Sequence, residues 1–243
     1  DEKGESNFDY GNGKGYSTAA FLDIQKTMDD ISFQALYQNE PIEREGLLYQ
    51  SEQLRRYYEL PDREADAILA VCDTASGGGD DLVMPIFAVY GNDHYLIDCV
   101  VSNELPEVTD NLCIEALVRN RVKQCQFESN SAGGRTADKV EEGVKKLATS
   151  KGIKPTHITK KWTSQNKETK IIVNSAWVKE YCLFKDDKLI QPKTMYADFM
   201  KKMTTYTHRG KNKHDDVVDA LAQYAVYTDS MSMNTISVIK RPF

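Results

Sequence analysis

The stretch "AILAVCDTASGGGDDLVMPIFAVYGNDHYLIDCVVS" (67–102) contains three apolar runs separated by two turns. The first run, "AILAVC", is short and almost entirely apolar, which is typical of a strand that is buried on both faces of a sheet. The runs "LVMPIFAVYG" and "HYLIDCVVS" meet at Gly91-Asn92-Asp93, a sequence that favours a tight hairpin. The stretch therefore predicts three consecutive strands in a meander.

The chain after this meander alternates between helical and extended patterns. Helices are predicted over 106–121, 135–149, 167–182, 194–206 and from the motif at 213–222 to about Tyr227, and strands over 123–128 and 156–162. A meander followed by such alternation predicts an α/β fold with a mixed β-sheet flanked by helices. Residues 42–65 are highly charged and are predicted to wrap the surface.

The composition limits the class of protein. The chain has 243 residues, of which 40% are hydrophobic, enough for one large domain with or without an extension. A net charge of -6 argues against a non-specific nucleic-acid coat protein, but allows an enzyme whose basic residues are confined to one groove. No apolar run approaches the ~18 residues of a membrane span, and no signal peptide is visible. Because the first residue is Asp, we expect a piece of a longer protein.

The cysteines and the acidic residues carry most of the chemical information. Five cysteines, an odd number without a CxxC pair, predict reduced and mostly buried thiols of an intracellular protein. Acidic residues recur where loops meet predicted strands and helices, at Asp73, Glu128, Asp215, Asp216 and Asp219. Helix capping alone could explain Asp215 or Asp216. Their joint occurrence at strand ends and on one helix face instead indicates a site for a hard divalent cation. Two such ions ~3.5–4 Å apart can promote hydrolysis of a phosphodiester.

Four segments carry a resemblance to a known family. "AVCDTASGGGDD", "CQFESNSAGG", "WTSQNKETKI" and "KHDDVVDALAQYAV" together resemble the nuclease domain of phage large terminase subunits, a member of the ribonuclease H-like superfamily. "FQALYQNEPIEREGLLY" (33–49) resembles the segment that joins the terminase ATPase domain to that nuclease. "DVVDALA" is also similar to Holliday-junction resolvases, which stay an alternative. The resemblance covers roughly residues 17–229.

The resemblance implies a metal-dependent endonuclease that cuts concatemeric double-stranded viral DNA during genome packaging. It implies catalytic and metal-binding roles for Asp73, Glu128 and Asp216, with Asp219 as a fourth metal ligand. One or two Mg²⁺ or Mn²⁺ ions are the expected cofactors. Accessory roles are expected for Asp80 or Asp81, for Asp215 and for His214. The implied domain organisation is a tail or linker remnant (1–16), a connecting segment from an ATPase domain (17–65), the nuclease domain (66–229) and a tail (230–243).

The expected partners are double-stranded DNA, the terminase ATPase domain, the portal and the small terminase subunit, in the host cell cytoplasm and away from membranes. "GNGKGYST" (11–18) does not match the phosphate-binding loop GxxxxGK[ST], and no strand precedes it, so we expect no ATP binding by this chain. The glycine-rich loop 76–81 beside Asp73 is predicted to move over the active site.

Basic residues near these motifs are candidates for DNA phosphate contact. They are Arg135, Lys160, Lys161, Lys167, Lys170, Arg209, Lys211 and Lys213. Ordinary surface lysines are the alternative interpretation. Trp162 and Trp177 are predicted to lie in the core and not to stack on bases.

Two other functional classes are compatible with parts of the sequence. The doublet His214-Asp215 is also found in histidine-aspartate phosphohydrolases, but that fold is all-helical and needs more histidines than the four present. A non-catalytic docking module of a packaging motor, with structural acids, stays open. Convergence of Asp73, Glu128 and Asp216 around one point would distinguish a nuclease from a docking module.

Overall fold

The computed structural model describes residues 17–19, 46–74, 80–129, 133–163, 166–207, 212 and 215–233. The chain divides into two compact units, residues 1–46 and 47–243. In the first unit only residues 17–19 and 46 are described, and Thr18 and Ala19 are helical. The predicted linker remnant 1–16 lies outside the described residues, and the domain boundaries stay a prediction.

Within the described residues of the second unit, seven strands form one mixed sheet. They are β1 (Arg55–Tyr57), β2 (Ala67–Cys72), β3 (Leu82–Tyr90), β4 (Asp93–Ser102), β5 (Gln124–Glu128), β6 (His157–Lys161) and β7 (Cys182–Lys185). Their spatial order is β1-β7-β4-β3-β2-β5-β6. The meander β2-β3-β4 is antiparallel, and every other neighbouring pair is parallel. Gly91, with a φ of 65°, makes the turn between β3 and β4. The predicted meander and mixed α/β sheet are confirmed.

Five α-helices flank this sheet in the described part of the chain. They are α1 (Pro106–Arg119), α2 (Gly133–Ser150), α3 (Lys167–Tyr181), α4 (Met195–Thr204) and α5 (Asp216–Met233). α1 and α2 cover one face, where Leu117 shares a buried cluster with Phe127 of β5. α3, α4 and α5 cover the other face, where Leu221 shares a second cluster with Phe87 of β3. Burial on both faces accounts for the continuous apolar run of β2.

Three features of the fold differ from the sequence predictions. The segment 42–65 does not only wrap the surface, because it contains the edge strand β1 and the fully buried Tyr49. β7 was also missed, since it starts at Cys182 directly after the last residue of α3. Finally, α5 continues beyond Tyr227 to Met233.

The thiol prediction agrees with the structure, because all five cysteines are buried and free of disulfides. Among the described residues, none of the helices has the length and apolar character needed to cross a membrane.

A buried histidine next to α5 leads to a pH prediction. His94 of β4 is buried, with its Nδ1 atom 2.8 Å from the hydroxyl of Tyr224. Burial lowers the pKa of His94 to about 4, although the charge of Asp93 acts in the opposite direction. Because this folded-state pKa lies below the unfolded value of about 6.5, the stabilising contribution is present above pH ~6.5 and is lost as the pH falls towards 4.

The free energy of unfolding of the wild type should fall between pH 6.5 and pH 4. In His94→Gln this fall should be smaller by about 3 kcal/mol, because glutamine does not take up a proton. Urea titrations across this range should give a flatter profile for the variant than for the wild type. His157→Gln, the same substitution at an exposed histidine, is the matched control for the change in side chain. Equal slopes for His94→Gln and the wild type would contradict the assignment.

Candidate metal centre

Two acidic residues lie side by side at the carboxyl edge of the central strands. β2 and β5 are parallel neighbours in which Cys72 is paired with Phe127, so the next residues, Asp73 and Glu128, share that edge. The backbone of Asp73 is also tied to β3: its N–H donates to the carbonyl of Val83 at 2.9 Å, and the N–H of Val83 donates back at 3.0 Å. Asp73 is therefore held by strands on both sides.

The third acid of the cluster comes from the first turn of α5. One carboxylate oxygen from each of Asp73, Glu128 and Asp219 lies within 4.8 Å of the other two. Asp219 is only 4% exposed. Gln223, one turn further along α5, donates a hydrogen bond from Nε2 to Oε2 of Glu128. The helix thus supplies one carboxylate and positions another.

Asp216 lies beside this cluster and has different partners. Its Oδ2 accepts a hydrogen bond from the backbone N–H of Asp81 at 3.1 Å. Its Oδ1 is 3.3 Å from Nζ of Lys167. Among the described residues, the trio with oxygens within 4.8 Å is Asp73, Glu128 and Asp219, without Asp216. The structure thus brings together two of the predicted catalytic acids and the predicted fourth ligand, and the roles of all four stay predictions.

Asp81, a predicted accessory acid, is held by an ion pair with a lysine of α4. Its Oδ2 pairs with Nζ of Lys202 at 2.8 Å, and Lys202 also pairs with Asp198 at 2.6 Å. Asp81 is buried whereas Asp80 is exposed. Residues 75–79 of the glycine-rich loop lie outside the described residues, so its predicted movement stays a prediction.

Two lysines of α3 insert their ammonium groups among these acids. Lys167 Nζ lies 2.7 Å from Asp215 Oδ1 and 3.8 Å from Asp219 Oδ2. Lys170 Nζ lies 2.6 Å from Asp219 Oδ1, and both side chains of this pair are buried. Lys170 was predicted to contact DNA, but it is buried against Asp219 and does not reach the surface. Lys167 keeps 40% of its side chain exposed.

The electrostatics of the cluster favour an added cation. Burial raises the pKa of Asp73 well above its usual range, and the charges of Asp219 and Glu128 raise it further. The ammonium groups of Lys167 and Lys170 act in the opposite direction. Burial also raises the pKa of Asp219, against the influence of Lys170. Carboxylates outnumber lysines here, and all the candidate ligand atoms are oxygens, so the residues fit a hard divalent cation.

The remaining predicted DNA contacts are dispersed. Lys161, at the end of β6, is exposed, and its Cα is paired with that of Glu128. Lys160 pairs with Asp138 at 2.5 Å, and Arg135 is exposed in the first turn of α2. Arg209, Lys211 and Lys213, the other predicted DNA contacts, and His214, a predicted accessory residue, lie outside the described part of the chain.

The two tryptophans differ from each other. Trp177 packs against the buried cluster under α3 and α5, as predicted. Trp162 is 68% exposed, so its prediction as a core residue was wrong. The reason is that β6 ends at Lys161, and Trp162 is the first residue after the strand.

The sequence interpretation also missed Gln223. Its position four residues after Asp219 places both on one face of the helix, a spacing that could have identified it.

Comparisons with known proteins agree with this fold. Residues 72–178 match the family model of the ribonuclease H-like domain of the bacteriophage T7 terminase. The Mn-soaked, inhibitor-bound nuclease domain of human cytomegalovirus terminase has 11% identity and a TM-score of 0.52, covering 74% of this chain and 94% of that chain. The ribonuclease H-like fold predicted from the sequence is confirmed. No curated protein sequence matches the chain.

Two further structures are similar at lower scores. The large terminase of a thermophilic bacteriophage has 13% identity and a TM-score of 0.47, covering 86% of this chain and 52% of that chain. The present chain therefore spans about half the length of that terminase. The second is a mutant nuclease domain of the large terminase subunit of bacterial virus Sf6, with manganese. It has 9% identity and a TM-score of 0.44, covering 67% of this chain and 89% of that chain.

Proposed function

We infer, from the match of residues 72–178 to the ribonuclease H-like domain family of terminases, that the chain is a divalent-metal-dependent endodeoxyribonuclease of a viral DNA-packaging motor. Its proposed substrate is concatemeric double-stranded DNA, cut by phosphodiester hydrolysis. The observation that carries the proposal is the convergence of Asp73, Glu128 and Asp219 within 4.8 Å at the carboxyl edge of the sheet.

Asp73, Glu128 and Asp219 would hold one Mg²⁺ or Mn²⁺ ion, and Asp216 lies where it could contribute to a second. When bound, such ions supply Lewis-acid stabilisation of the charge that develops on the phosphate and lower the pKa of the attacking water. The protein orients the carboxylates that would bind these ions. Gln223 fixes Oε2 of Glu128, and β3 and β5 fix the backbone on both sides of Asp73.

Lys167 has a role in holding the substrate. Burial lowers its pKa, but the hydrogen bond from its ammonium to Asp215 and the charge of Asp219 outweigh that effect, so the group stays charged. With 40% of the side chain exposed, its ammonium can donate one hydrogen bond to a phosphate oxygen while another is donated to Asp215. Lys161, exposed at the same edge, offers a second phosphate contact.

The intact motor would include further components. In keeping with the family of the matched domain, we propose that an ATPase domain, the portal and the small terminase subunit supply translocation, placement and timing. In a resolvase-like alternative the same site would cut branched DNA, and in a docking module the acids would be structural and no cleavage would occur.

The direct test is cleavage of supercoiled plasmid. We expect nicking and linearisation in Mn²⁺ or Mg²⁺, and none in EDTA. With roughly three phosphate contacts, DNA affinity should fall about 10- to 100-fold between 50 and 200 mM salt, and several unrelated duplexes should be cut at similar rates. Absence of cleavage with either metal would favour the docking module. Tight, salt-insensitive binding to one sequence or to a four-way junction would favour a site-specific or resolvase-type enzyme.

A further inference from the structure

An exposed tryptophan directly follows β6, the strand that pairs with the strand of Glu128. Trp162 is 68% exposed and directly follows Lys161, whose Cα is paired across the sheet with that of Glu128. From the usual strand spacing and rise per residue, the Cα atoms of Trp162 and Glu128 lie on the order of 6–8 Å apart. Trp162 therefore lies at the end of the sheet at which the acids converge.

The backbone directly before Trp162 is held by the sheet. The backbone N–H of Ser129, which follows β5, donates to the carbonyl of Lys161 at 2.9 Å, so the ends of β5 and β6 are joined just before the indole. The side chain of Lys160 is held by Asp138 of α2. Lys161, next to Trp162, is exposed. A rigid aromatic group beside an exposed ammonium matches a nucleic-acid strand, in which bases and phosphates alternate.

We propose that Trp162 stacks on a nucleobase of the DNA strand in the site, so that the enzyme favours DNA with an unpaired or frayed base beside the cut. This rests on the proposed nuclease function. In the interior of a duplex both faces of each base are covered by its neighbours, so stacking requires a base that is exposed at a gap, a nick or a melted step. A protein partner would be the other natural occupant of an exposed indole. Proximity to the carboxylates and to Lys161 favours DNA.

Tryptophan fluorescence gives a direct test, because the chain has two tryptophans. Trp177→Phe, a conservative change at a half-buried position, leaves Trp162 as the sole tryptophan emitter. In Ca²⁺, a duplex with a short single-stranded gap should quench this emission in a saturable way. A fully paired duplex of the same sequence should quench it less. Anisotropy of labelled DNA reports binding independently of the indole.

Substitutions in the otherwise unchanged chain give the second test. Trp162→Ala should weaken binding of gapped DNA about 5- to 100-fold, whereas Trp162→Phe should retain most of the affinity. The matched control is Tyr58→Ala, which removes an aromatic side chain that is 59% exposed next to β1, at the opposite edge of the sheet. This control should bind and cut like the wild type.

The outcomes separate the two proposals. If the wild type cuts DNA in Mn²⁺ but Trp162→Ala binds gapped and paired DNA equally to the wild type, the stacking proposal is overturned and the nuclease proposal stands. The stacking proposal is also overturned if anisotropy shows that DNA binds while the emission of Trp162 stays unchanged. A protein partner would then be the favoured occupant of the indole. If the wild type neither binds nor cuts any DNA, both proposals fail.

Discussion

Replacement of Asp73 by Asn is expected to reduce DNA cleavage at least about 1,000-fold, which corresponds to a loss of roughly 4 kcal/mol of transition-state stabilisation. Asp73 is one of three acids whose oxygens lie within 4.8 Å of one another. An amide is a poorer ligand than a carboxylate for a hard cation, and the substitution also removes one negative charge from the cluster. The rate should be measured on supercoiled plasmid at saturating Mn²⁺.

The same variant should keep its fold and, without metal, should be at least as stable as the wild type at neutral pH. Burial, together with Asp219 and Glu128, raises the pKa of Asp73 in the folded state. A carboxyl group whose folded pKa is raised destabilises the fold as the pH rises above its unfolded pKa of about 4, because ionisation is easier in the unfolded chain. The Asn side chain does not ionise and avoids this cost. Mn²⁺ should therefore raise the melting temperature of the wild type more than that of Asp73→Asn.

Asp187→Asn is the matched control for this experiment. Asp187 is 73% exposed and pairs with Arg56 of β1, at the opposite edge of the sheet from Trp162 and Lys161. It should leave both the cleavage rate and the stabilisation by Mn²⁺ unchanged. Wild-type cleavage by Asp73→Asn would remove Asp73 from the mechanism.

The sequence could place Asp73 because it follows the strongly apolar β2, and Glu128 because it ends β5, in which Cys125 and Phe127 alternate with polar residues. The ends of such strands converge when the strands are parallel neighbours, as β2 and β5 are. It could not decide between Asp216 and Asp219. Residues three apart on a helix differ by about 60° in direction and by about 4.5 Å along the axis. The rotation and axial position of α5 relative to the sheet decide which of the two faces the strand ends. Both depend on the packing of the whole second unit.

The sequence also could not predict the burial of Lys170 or the exposure of Trp162, because both depend on how the elements pack and where they end. A sequence shows that Lys170 is charged, but its burial against Asp219 arises only when α3 packs beside α5. Trp162 was assigned to the core because it is large and apolar, but β6 ends one residue before it. The strands β1 and β7, of three and four residues, are too short to show a period of two. The longer strands of the meander were predicted because each carries a long apolar run.

Lys170→Met is expected to lower the free energy of unfolding in EDTA by about 3 kcal/mol, because the buried carboxylate of Asp219 loses its nearer cation and keeps only Lys167, at 3.8 Å. Lys170 Nζ lies 2.6 Å from Asp219 Oδ1, and the two side chains are only 5% and 6% exposed. Methionine fills a similar volume, so the loss reports the charge and not a cavity. Urea titrations followed by circular dichroism measure it.

A control pair with a similar contact distance but different burial tests this explanation. Lys146 Nζ lies 2.7 Å from Glu142 Oε1, one helical turn away, with side-chain exposures of 76% and 70%. Since exposed pairs are screened by water and salt, Lys146→Met should change stability little. Mn²⁺ should restore more stability to Lys170→Met than to the wild type, because the variant cluster has lost one positive charge and gains more from a cation. If Lys170→Met were as stable as the wild type in EDTA, Asp219 would have to be neutral in the metal-free protein. Lys170 would then not stabilise an ionised Asp219.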